Sequence, residues 1–396
     1  MKKTTDFLII GGGIIGLSIA RQLQHMHNPC SITIIEKEQN LGEHASGRNS
    51  GVLHSGVYYP ADSLKARFTK DGNKKWQNYC EEKNLFLDKC GKLIIATSEN
   101  ELEGLDIIEQ RALENAVEIE RLDSKQASEI EPRAKTFQSA LFVPSTATIN
   151  PKEINESMAS DFQANGGEIL LDCSYIKKVK DNTVFTSNGN ISAGYIINCA
   201  GLYADRIAHD FSMGLDYSML PFKGLYLYSS DASAAPRVHI YPVPDLNNPF
   251  LGVHLTRTID GSVKVGPTAM PALWRESYSG FSNFSIFDVL EISSREAIMF
   301  LLNKNNFPKL AYEELRKQSK RFLIKDASRL ISCIDEMKFT SWGRPGIRAQ
   351  LVSKITNELV MDFLIEKDDK SLHILNAVSP AWTCALSFSE YVVDQI

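Results

Sequence analysis

The stretch FLIIGGGIIG, residues 7–16, decides the fold of this chain. An apolar run ends at Gly11, and the apolar residues after Gly16 have the spacing of a buried helix. A second apolar run, residues 31–35, ends on Glu36, which lies 20 residues after Gly16. This order of strand, G-x-G-x-x-G turn, helix, strand and acid is typical of a dinucleotide-binding βαβ unit.

Each part of this unit has a physical role. Gly11 permits the tight turn, Gly13 lets the backbone approach a pyrophosphate, and Gly16 lets helix and strand pack closely. The helix N-terminus offers unpaired N–H groups and a positive dipole end to the phosphates. Glu36 can accept hydrogen bonds from the ribose hydroxyls. The motif leaves the dinucleotide open, because NAD and FAD both use it.

Composition and charge limit the class of protein. A length of 396 residues suggests two or three domains, and 43% hydrophobic with 23% charged residues is ordinary for a globular chain. The net charge of −5 gives nucleic-acid binding no global electrostatic support, so no nucleic-acid partner is expected.

Cysteines and apolar runs indicate the compartment. The seven cysteines are dispersed and form no C-x-x-C, so neither a metal site nor a redox pair is expected. Such usage fits a reducing compartment, and we expect a cytoplasmic protein. The start of the chain imitates a signal peptide, but Asp6 and the three glycines interrupt it. The sequence contains no run of about 18 apolar residues, so a membrane-spanning helix is not predicted.

The rest of the chain differs in character from the N-terminal unit. Short strands separated by turn residues are predicted at 225–228, 238–241, 250–255 and 262–265, as in an antiparallel sheet. Helices are predicted at 285–303 and 309–331, and a last helix from about residue 382. A second G-x-G-x-x-G is absent, which favours a single bound cofactor that takes electrons directly from the substrate.

A second block, residues 44–59, is dense in small residues and hydrogen-bond donors. Small residues let a flat ring lie close to the backbone, and Arg48, Asn49 and Ser50 can bind phosphate or ring oxygens. The alternative interpretation is a glycine-rich surface loop.

Several blocks, in order along most of the chain, make the sequence recognisable. They read SGRNSGVLHSGVYYP at 46–60, CGKLIIAT at 90–97, NCAGLYAD at 198–205, PFKGLYLY at 221–228, IYPVPD at 240–245, FLGVHLT at 250–256, GIRAQ at 346–350 and NAVSPAWT at 376–383. With the glycine turn, they make the chain resemble the FAD-dependent L-2-hydroxyglutarate dehydrogenases and oxidases of the D-amino-acid-oxidase-like flavoprotein group. The blocks at 49–59 and 241–254 are far more specific than the glycine turn.

The resemblance implies a fold that combines α/β and α+β parts. A Rossmann-like FAD-binding domain would be assembled from residues 1–89, 145–220 and 340–396. A discontinuous substrate domain, residues 90–144 and 221–339, would carry a large mixed β-sheet that covers the isoalloxazine ring.

The resemblance also implies the positions that bind FAD. Besides Gly11, Gly13, Gly16 and Glu36, the expected cofactor-binding residues are Lys37, Ser46, Arg48, Asn49, Ser50, Gly51, Ala200, Gly201, Gly346, Ser379, Pro380 and Thr383. The last three open the final helix, whose N–H groups would stabilise negative charge on a reduced flavin. An ordinary helix cap is the structural alternative.

The implied reaction oxidises the C2 hydroxyl of L-2-hydroxyglutarate to the ketone of 2-oxoglutarate. Hydride would pass to flavin N5 and a base would take the hydroxyl proton. Histidine suits the base, and the candidates are His54 and His254, with His239 weaker. A histidine near the position of His54 attaches covalently to FAD in related amine-oxidising flavoproteins. For each histidine the alternative is a structural role.

A dicarboxylate substrate requires fixed cations. Arg348 is the first candidate because a guanidinium binds a carboxylate with two hydrogen bonds. Lys223 and Arg257 are candidates for the other carboxylate, and both also suit solvated surface positions. Tyr226 and Tyr241 can donate to the substrate, although a buried tyrosine often only packs.

The chain departs from the family pattern at several of these positions. Lys223 stands where the family commonly has arginine, and Leu225 where an acid is usual. Val378 and Trp382 differ from the usual residues of the C-terminal block. Substrate preference or pocket shape is therefore expected to differ.

Two other functions stay open at this point. One is an oxidase or dehydrogenase of an amino acid or N-methyl amino acid on the same fold, and the other is a non-catalytic flavin-binding protein. Oxygen and quinone are both open as electron acceptors. A basic stretch at 316–329 suits peripheral contact at the inner face of the membrane, although a solvated helix face is the preferred interpretation.

Overall fold

The computed structural model describes residues 3–27, 29–180, 182–229, 231–245 and 251–396. The helices of these residues are α1 (Ile14–Met26), α2 (Leu64–Glu82), α3 (Leu102–Glu114), α4 (Ser124–Ile130), α5 (Pro151–Ala164), α6 (Ala204–Asp210), α7 (Ile286–Leu301), α8 (Phe307–Arg316), α9 (Lys320–Ala327) and α10 (Ala381–Val393).

The strands of the same residues alternate with these helices. They are β1 (Lys3–Ile10), β2 (Ile32–Ile35), β3 (Val52–Leu53), β4 (Leu87–Asp88), β5 (Lys92–Ile95), β6 (Glu120–Asp123), β7 (Ser139–Val143), β8 (Ala147–Ile149), β9 (Glu168–Leu170), β10 (Tyr175–Lys178), β11 (Thr183–Thr186), β12 (Gly189–Asn198), β13 (Tyr217–Gly224), β14 (Leu227–Ser229), β15 (His239–Pro242), β16 (His254–Arg257), β17 (Val263–Gly266), β18 (Met270–Pro271), β19 (Ser341–Trp342), β20 (Gly346–Ser353), β21 (Leu364–Lys367) and β22 (Ser371–Asn376).

The chain divides into two compact units. Unit 1 consists of Met1–Asn49, Pro151–Pro221 and Arg348–Ile396, and unit 2 consists of Ser50–Asn150 and Phe222–Ile347. Residues 50–89, 145–150 and 340–347 fall in unit 2, whereas the resemblance placed them among the FAD-binding segments. Residues 50–89 and 145–149 stay together because β3 pairs with β8, and Asn73 of α2 donates to the carbonyl of Ser145. The assignment of functions to segments stays a prediction.

Unit 1 is built around β1. This strand pairs in parallel with β2 and with β12, so that Ile10 lies opposite both Ile35 and Asn198. The sheet runs β10-β11-β12-β1-β2-β9, with β22 and β21 added beyond β12. β2 is buried throughout, and three of its four residues are apolar, as expected where helices cover a parallel sheet on both faces. α6 contributes to one buried cluster, and α1 packs against α5 and α10.

Unit 2 contains a large mixed sheet of order β19-β14-β17-β16-β15-β5-β7-β6. One face is apolar, and its core includes Leu93, Leu255 and Val265 together with Leu323 of α9. The other face packs in part against Leu105 of α3. The predicted combination of a Rossmann-like unit with a large mixed sheet is confirmed.

The predicted antiparallel segment is present in unit 2, with two differences. β14, β15, β16 and β17 occupy it, and β16 pairs antiparallel with both β15 and β17. Residue 250, which begins the predicted strand 250–255, lies outside the described residues, and the strand begins at His254. The single helix predicted at 309–331 was wrong. The chain forms α8 and α9 instead, because Ser319 adopts an extended conformation between them.

Candidate functional site

The glycine turn of unit 1 is packed so closely that side chains would not fit at two of its glycines. Gly11 has a φ of +111°, and a Cβ built there would lie 2.5 Å from the Cys199 carbonyl oxygen. A Cβ on Gly16 would lie 2.1 Å from the Gly11 carbonyl oxygen. Side chains at either position would therefore push the turn away from β12 or from the start of α1.

The N-terminus of α1 suits an anion. Gly13 is its N-cap residue and supplies no side-chain hydrogen bond, and the first turn contains no acid. Ser46 Oγ accepts a hydrogen bond from the Ile14 N–H at 2.9 Å, which places Ser46 of the 44–59 block beside this helix end. The positive end of the helix dipole faces the same place, so phosphate oxygens fit there.

Glu36 lies at the same turn. Its Oε2 accepts from the Gly12 N–H at 2.9 Å, and its Oε1 accepts from the Glu38 N–H at 3.0 Å. The carboxylate is thus held at the end of β2, next to the glycines. This is where an acceptor for ribose hydroxyls belongs in a Rossmann-like unit.

The loop that follows is held by its own hydrogen bonds. Asn49 Nδ2 donates to the Ser46 carbonyl at 2.7 Å, and Trp382 Nε1 donates to the same oxygen at 3.2 Å. Arg48 Nε donates to the Glu43 carbonyl at 2.5 Å. Lys37 forms an ion pair with Glu38. These contacts order the predicted phosphate-binding donors around the turn.

The other cofactor candidates of unit 1 lie on β12 and α10. The Cys199 N–H donates to the Ile10 carbonyl at 2.8 Å, which carries Ala200 and Gly201 to the end of β1. Gly201 has a φ of +54° and open space around its Cα. Pro380 is the N-cap residue of α10 and forms no side-chain cap, whereas Thr383 is fully buried. Ser50, Gly51 and Gly346 belong to unit 2.

Unit 2 carries a second group of polar side chains, on one face of its sheet. In β5, β15, β16 and β17, most of the residues next to the apolar-face residues Leu93, Ile240, Leu255 and Val265 are polar, and they lie on the opposite face of the sheet. The strand pairing sets Lys92 opposite His239, and Thr256 opposite Lys264. We call the group formed by His54, Tyr58, Lys92, Tyr226, His239, Tyr241, His254 and Lys264 the polar cluster.

Lys92 is the most unusual member of the polar cluster. Its side chain is 0% exposed, and its Nζ has no hydrogen-bond partner among the described residues. The Nζ lies 4.5 Å from the centroid of the Tyr58 ring and 5.3 Å from that of Tyr241. Desolvation lowers the pKa of Lys92 to about 7. A buried ammonium without a partner is costly, which suits a group that meets an anion.

His54 is neutral at physiological pH. Desolvation, followed by the positive charge of Lys92, lowers the pKa of its imidazole to about 3. An anion beside Lys92 offsets that charge and raises the proton affinity of His54. The proton affinity of this histidine therefore depends on what occupies the polar cluster.

His254 is fixed by two contacts. Its ring stacks on Tyr241 with centroids 3.8 Å apart and an interplanar angle of 17°. Its Nδ1 is 2.9 Å from the Gly252 carbonyl, which can only accept a hydrogen bond. Nδ1 therefore carries the proton in the neutral ring, and Nε2 is the acceptor atom. Burial keeps Tyr241 and Tyr58 protonated by raising the pKa of each.

Lys264 and His239 complete the cluster. Lys264 Nζ donates to the Ser50 carbonyl at 2.5 Å and lies 5.1 Å from the Tyr226 ring centroid, and desolvation lowers its pKa to about 8. His239 is fully buried with hydrogen bonds to Thr148 and to the Arg257 N–H. These contacts are typical of a structural histidine, and His239 was the weaker candidate for the base.

The predicted substrate cations lie in three different settings. Arg257 forms an ion pair with Asp88 at 3.1 Å, which competes with a substrate carboxylate. Lys223 lies on β13, where desolvation lowers its pKa. Arg348 lies on β20 in unit 1. Their roles as substrate ligands stay predictions.

Lys92 and Lys264 were not among the predicted site residues. The available signal is a lysine at an alternating position within an otherwise apolar strand, as in Gly91-Lys92-Leu93-Ile94 and Val263-Lys264-Val265. A lysine that must point into a covered sheet face is rarely found without a partner or function.

The glycine turn and sheet order define unit 1 as a Rossmann-like dinucleotide-binding unit. A sequence profile of the family described as FAD dependent oxidoreductase, DAO, matches residues 6–395. The chain belongs to this DAO family, its cofactor is FAD, and it is an oxidoreductase.

Individual relatives support the family assignment. The L-2-hydroxyglutarate dehydrogenase of Escherichia coli strain K12 is 36% identical over 407 residues, which cover 99% of this chain and 93% of that protein. The mitochondrial L-2-hydroxyglutarate dehydrogenase of Mus musculus is 35% identical over 410 residues, covering 98% and 87%. The predicted resemblance is confirmed.

Solved structures share the fold. The L-alpha-glycerophosphate oxidase of Mycoplasma pneumoniae with FAD bound superposes with a TM-score of 0.79 at 24% identity, covering 99% of this chain and 94% of that chain. The glycine oxidase of Geobacillus kaustophilus has a TM-score of 0.72 at 14% identity, covering 99% and 94%. Among the described residues, none of the helices combines the length and apolar character needed to cross a bilayer.

Proposed function

We propose that this enzyme oxidises L-2-hydroxyglutarate to 2-oxoglutarate. Relatives at 33–37% identity over nearly the whole chain carry the name L-2-hydroxyglutarate dehydrogenase. The observation that carries the proposal is the buried, unpartnered Lys92 beside His54 in the polar cluster. That pair offers a cation for a carboxylate and a neutral imidazole for a hydroxyl proton.

Two cations of the polar cluster match the two carboxylates of the substrate. Lys92 binds one, and its transfer from an unpaired to a paired state contributes binding free energy. Lys264, held by the Ser50 carbonyl, binds the other. We favour this pair over Arg257, because Asp88 already neutralises that guanidinium. Arg348 and Lys223 stay further candidates, and Tyr226 is a hydroxyl donor near Lys264.

The residues that would hold FAD are Gly11, Gly13, Gly16, Glu36, Ser46 and those at the N-terminus of α10. When bound, FAD supplies the acceptor for the hydride that leaves C2. The hydroxyl proton passes to His54, and the C2–O bond becomes a carbonyl. Carboxylate binding at Lys92 raises the pKa of His54 toward its ordinary range, so the base gains strength as the substrate arrives. His254, whose ring Tyr241 and Gly252 hold in place, stays the second candidate for the base.

Anaerobic reduction of the flavin tests the substrate. L-2-hydroxyglutarate should bleach the flavin absorbance of the holoenzyme, whereas glycine, sarcosine and D-amino acids should leave it unchanged. Bleaching by an amine and not by the hydroxy acid would replace the proposal with an amino-acid or N-methyl-amino-acid oxidase. A stable yellow protein that none of these compounds reduces would favour a non-catalytic flavin protein.

The acceptor is tested on the same bleached sample. Reoxidation by air alone identifies an oxidase, and reoxidation that needs a water-soluble quinone identifies a dehydrogenase. Acid precipitation of the sample then shows whether the flavin colour stays with the protein, which reports covalent attachment.

A further inference from the structure

Lys92 lies where its side chain cannot reach water. β5 is an inner strand of the unit 2 sheet, between β15 and β7. Leu93 and Ile95 of β5 belong to the apolar core that includes α9. Because successive side chains alternate, Lys92 lies on the other face together with Ile94, and that face is covered as well, so that Lys92 is 0% exposed. A lysine normally keeps its ammonium group in water, so this position requires a specific reason.

The described groups around Lys92 do not accept a hydrogen bond from it. Its Nζ has no hydrogen-bond partner among the described residues. The rings of Tyr58 and Tyr241 flank Nζ, with their centroids at 4.5 and 5.3 Å. The buried Tyr58 hydroxyl likewise has no partner within the described part of the chain. Two neighbouring buried polar groups that lack partners indicate a place for a polar molecule.

Burial makes Lys92 a nucleophile near neutral pH. Desolvation lowers its pKa to about 7, so roughly half of its amino group is unprotonated at pH 7. A lysine with the ordinary pKa of 10.5 is only about 0.03% unprotonated at that pH. Lys264 differs, because its Nζ donates to the Ser50 carbonyl and the charge of Asp260 opposes the lowering of its pKa. Of the two lysines in the polar cluster, Lys92 thus has the less restrained amino group.

The proposed reaction brings a ketone to this amine. When His54 takes the hydroxyl proton, the new carbonyl oxygen lies beside its imidazole. Next to desolvation, the charge of Lys92 lowers the pKa of His54, so the amine and the imidazole act on the same space. A carboxylate bound to protonated Lys92 holds the adjacent C2 carbon near Nζ. Loss of a proton from the ammonium group then leaves an amine lone pair next to an electrophilic carbon.

We propose that Lys92 is also a covalent site, whose neutral amine forms an imine with the 2-oxo acid product. This inference rests on the proposed function, which supplies 2-oxoglutarate as the ketone. Nζ attacks the ketone carbon and a C–N bond forms, while the carbonyl oxygen takes up the two protons that leave the nitrogen and departs as water. The step needs no oxidant or reductant. Tyr58, whose ring lies against Nζ and whose hydroxyl is kept protonated by burial, is the proton donor to the departing oxygen.

The imine regulates the site that makes the ketone. An adduct on Lys92 occupies the position of a substrate carboxylate, so the next hydroxy acid cannot bind until water reverses the adduct. The enzyme therefore slows as the 2-oxo acid accumulates, and this inhibition develops more slowly than simple competition, because a covalent bond must form. A dicarboxylate without a ketone only competes for the same position and leaves Lys92 unmodified.

Reductive trapping of the FAD-loaded protein tests the imine. 2-Oxoglutarate is added near neutral pH, followed by sodium cyanoborohydride, which reduces an imine to a stable secondary amine. Mass spectrometry of the peptides should show one reduced adduct per chain, on Lys92, with a yield that saturates in 2-oxoglutarate. Lys264 should stay unlabelled, and the exposed Lys152 should react roughly 10²- to 10³-fold more slowly. Glutarate, a dicarboxylate without a ketone, should protect Lys92 from labelling.

Two variants and the flavin signal complete the test. Lys92→Met should lose the adduct and Lys152→Met should keep it, while flavin content and melting temperature establish that both are folded. An unlabelled Lys92 at saturating 2-oxoglutarate, equal labelling of Lys152, or labelling that glutarate does not reduce would overturn the inference. Flavin bleaching by L-2-hydroxyglutarate without any adduct would refute the imine alone. An adduct on Lys92 in a protein that L-2-hydroxyglutarate does not bleach would support the imine and refute the proposed substrate.

Discussion

Replacing Lys92 with methionine should stabilise the protein and damage catalysis at the same time. Methionine is close to lysine in volume and buries no charge, so it fits the site between Tyr58 and Tyr241. Residues kept at a cost to stability are typical of functional sites. The combined outcome separates a functional lysine from one that only packs.

The size of the stability gain follows from the pKa of Lys92. Folding lowers this pKa from 10.5 to about 7, and the difference corresponds to about 5 kcal/mol as an upper bound. The unfolded chain binds more protons between these values, so the penalty is full below pH 7 and fades as pH rises toward 10.5. Lys92→Met should therefore gain up to about 5 kcal/mol at pH 6 but only about 1 kcal/mol at pH 9.5.

The catalytic loss should be roughly 10- to 150-fold in kcat/KM for L-2-hydroxyglutarate, since a hydrogen bond to a charged group contributes about 1.5–3 kcal/mol. Wild-type kcat/KM should also fall above about pH 7 as Lys92 loses its proton, and this fall should be absent in the variant.

Urea unfolding at saturating FAD and steady-state kinetics measure the two effects of Lys92→Met. Lys152→Met is the matched control, because the Lys152 side chain is 81% exposed and should show neither effect. Unchanged stability at pH 6 together with kcat/KM within about twofold of wild type would refute the reasoning, since Lys92 would then be a satisfied structural residue.

Three further substitutions extend the test. Glu296→Gln should stabilise the protein by at most about 3 kcal/mol at pH 8 and by little at pH 4.5, as urea unfolding at both pH values will show. Burial raises the pKa of this carboxyl from 4.5 to about 7. Ionising it in the folded protein therefore costs free energy only above pH 4.5, the pKa of the unfolded chain. Gly16→Ala should lower FAD affinity at least tenfold, because its Cβ would clash with the Gly11 carbonyl oxygen. A variant that purifies with a full complement of FAD would contradict this turn geometry. His54→Asn should slow flavin reduction by roughly 10²- to 10⁴-fold and His254→Asn by less, as stopped-flow absorbance will show; the opposite order would transfer the base role to His254.

The cofactor turn could be predicted because its determinants are local. Gly11, Gly13 and Gly16 fix the turn through backbone sterics within a few residues, and the apolar β2 sequence places Glu36 beside them. The same locality explains why the last helix was predicted close to its observed start at Ala381. A binding site formed by one turn can be predicted from the sequence of that turn.

The polar cluster could not be predicted in the same way, because it depends on strand pairing over long distances. Lys92 and His239 lie opposite each other in neighbouring strands, although 147 residues separate them in sequence. Only this register places Lys92 in a covered face, lowers its pKa and couples it to His54. The family resemblance predicted the histidine candidates, whereas the position of Lys92 in the polar cluster follows only from the strand pairing.

The rotation of α7 also depends on contacts outside its own sequence pattern. The ion pairs of Arg275 with Asp288 and Glu291 hold Asp288 inward, while Phe287 and Leu301 stay exposed. The break between α8 and α9 was missed because Ser319 is compatible with a helix and is decided by local backbone conformation.

Single-turnover reduction with C2-deuterated substrate tests the central claim most directly. Anaerobic mixing of the holoenzyme with L-2-hydroxyglutarate should bleach one flavin for each 2-oxoglutarate formed, and deuterium at C2 should slow the bleaching. A flavin that stays oxidised with the L acid, while the D acid or an amine reduces it, would contradict the account.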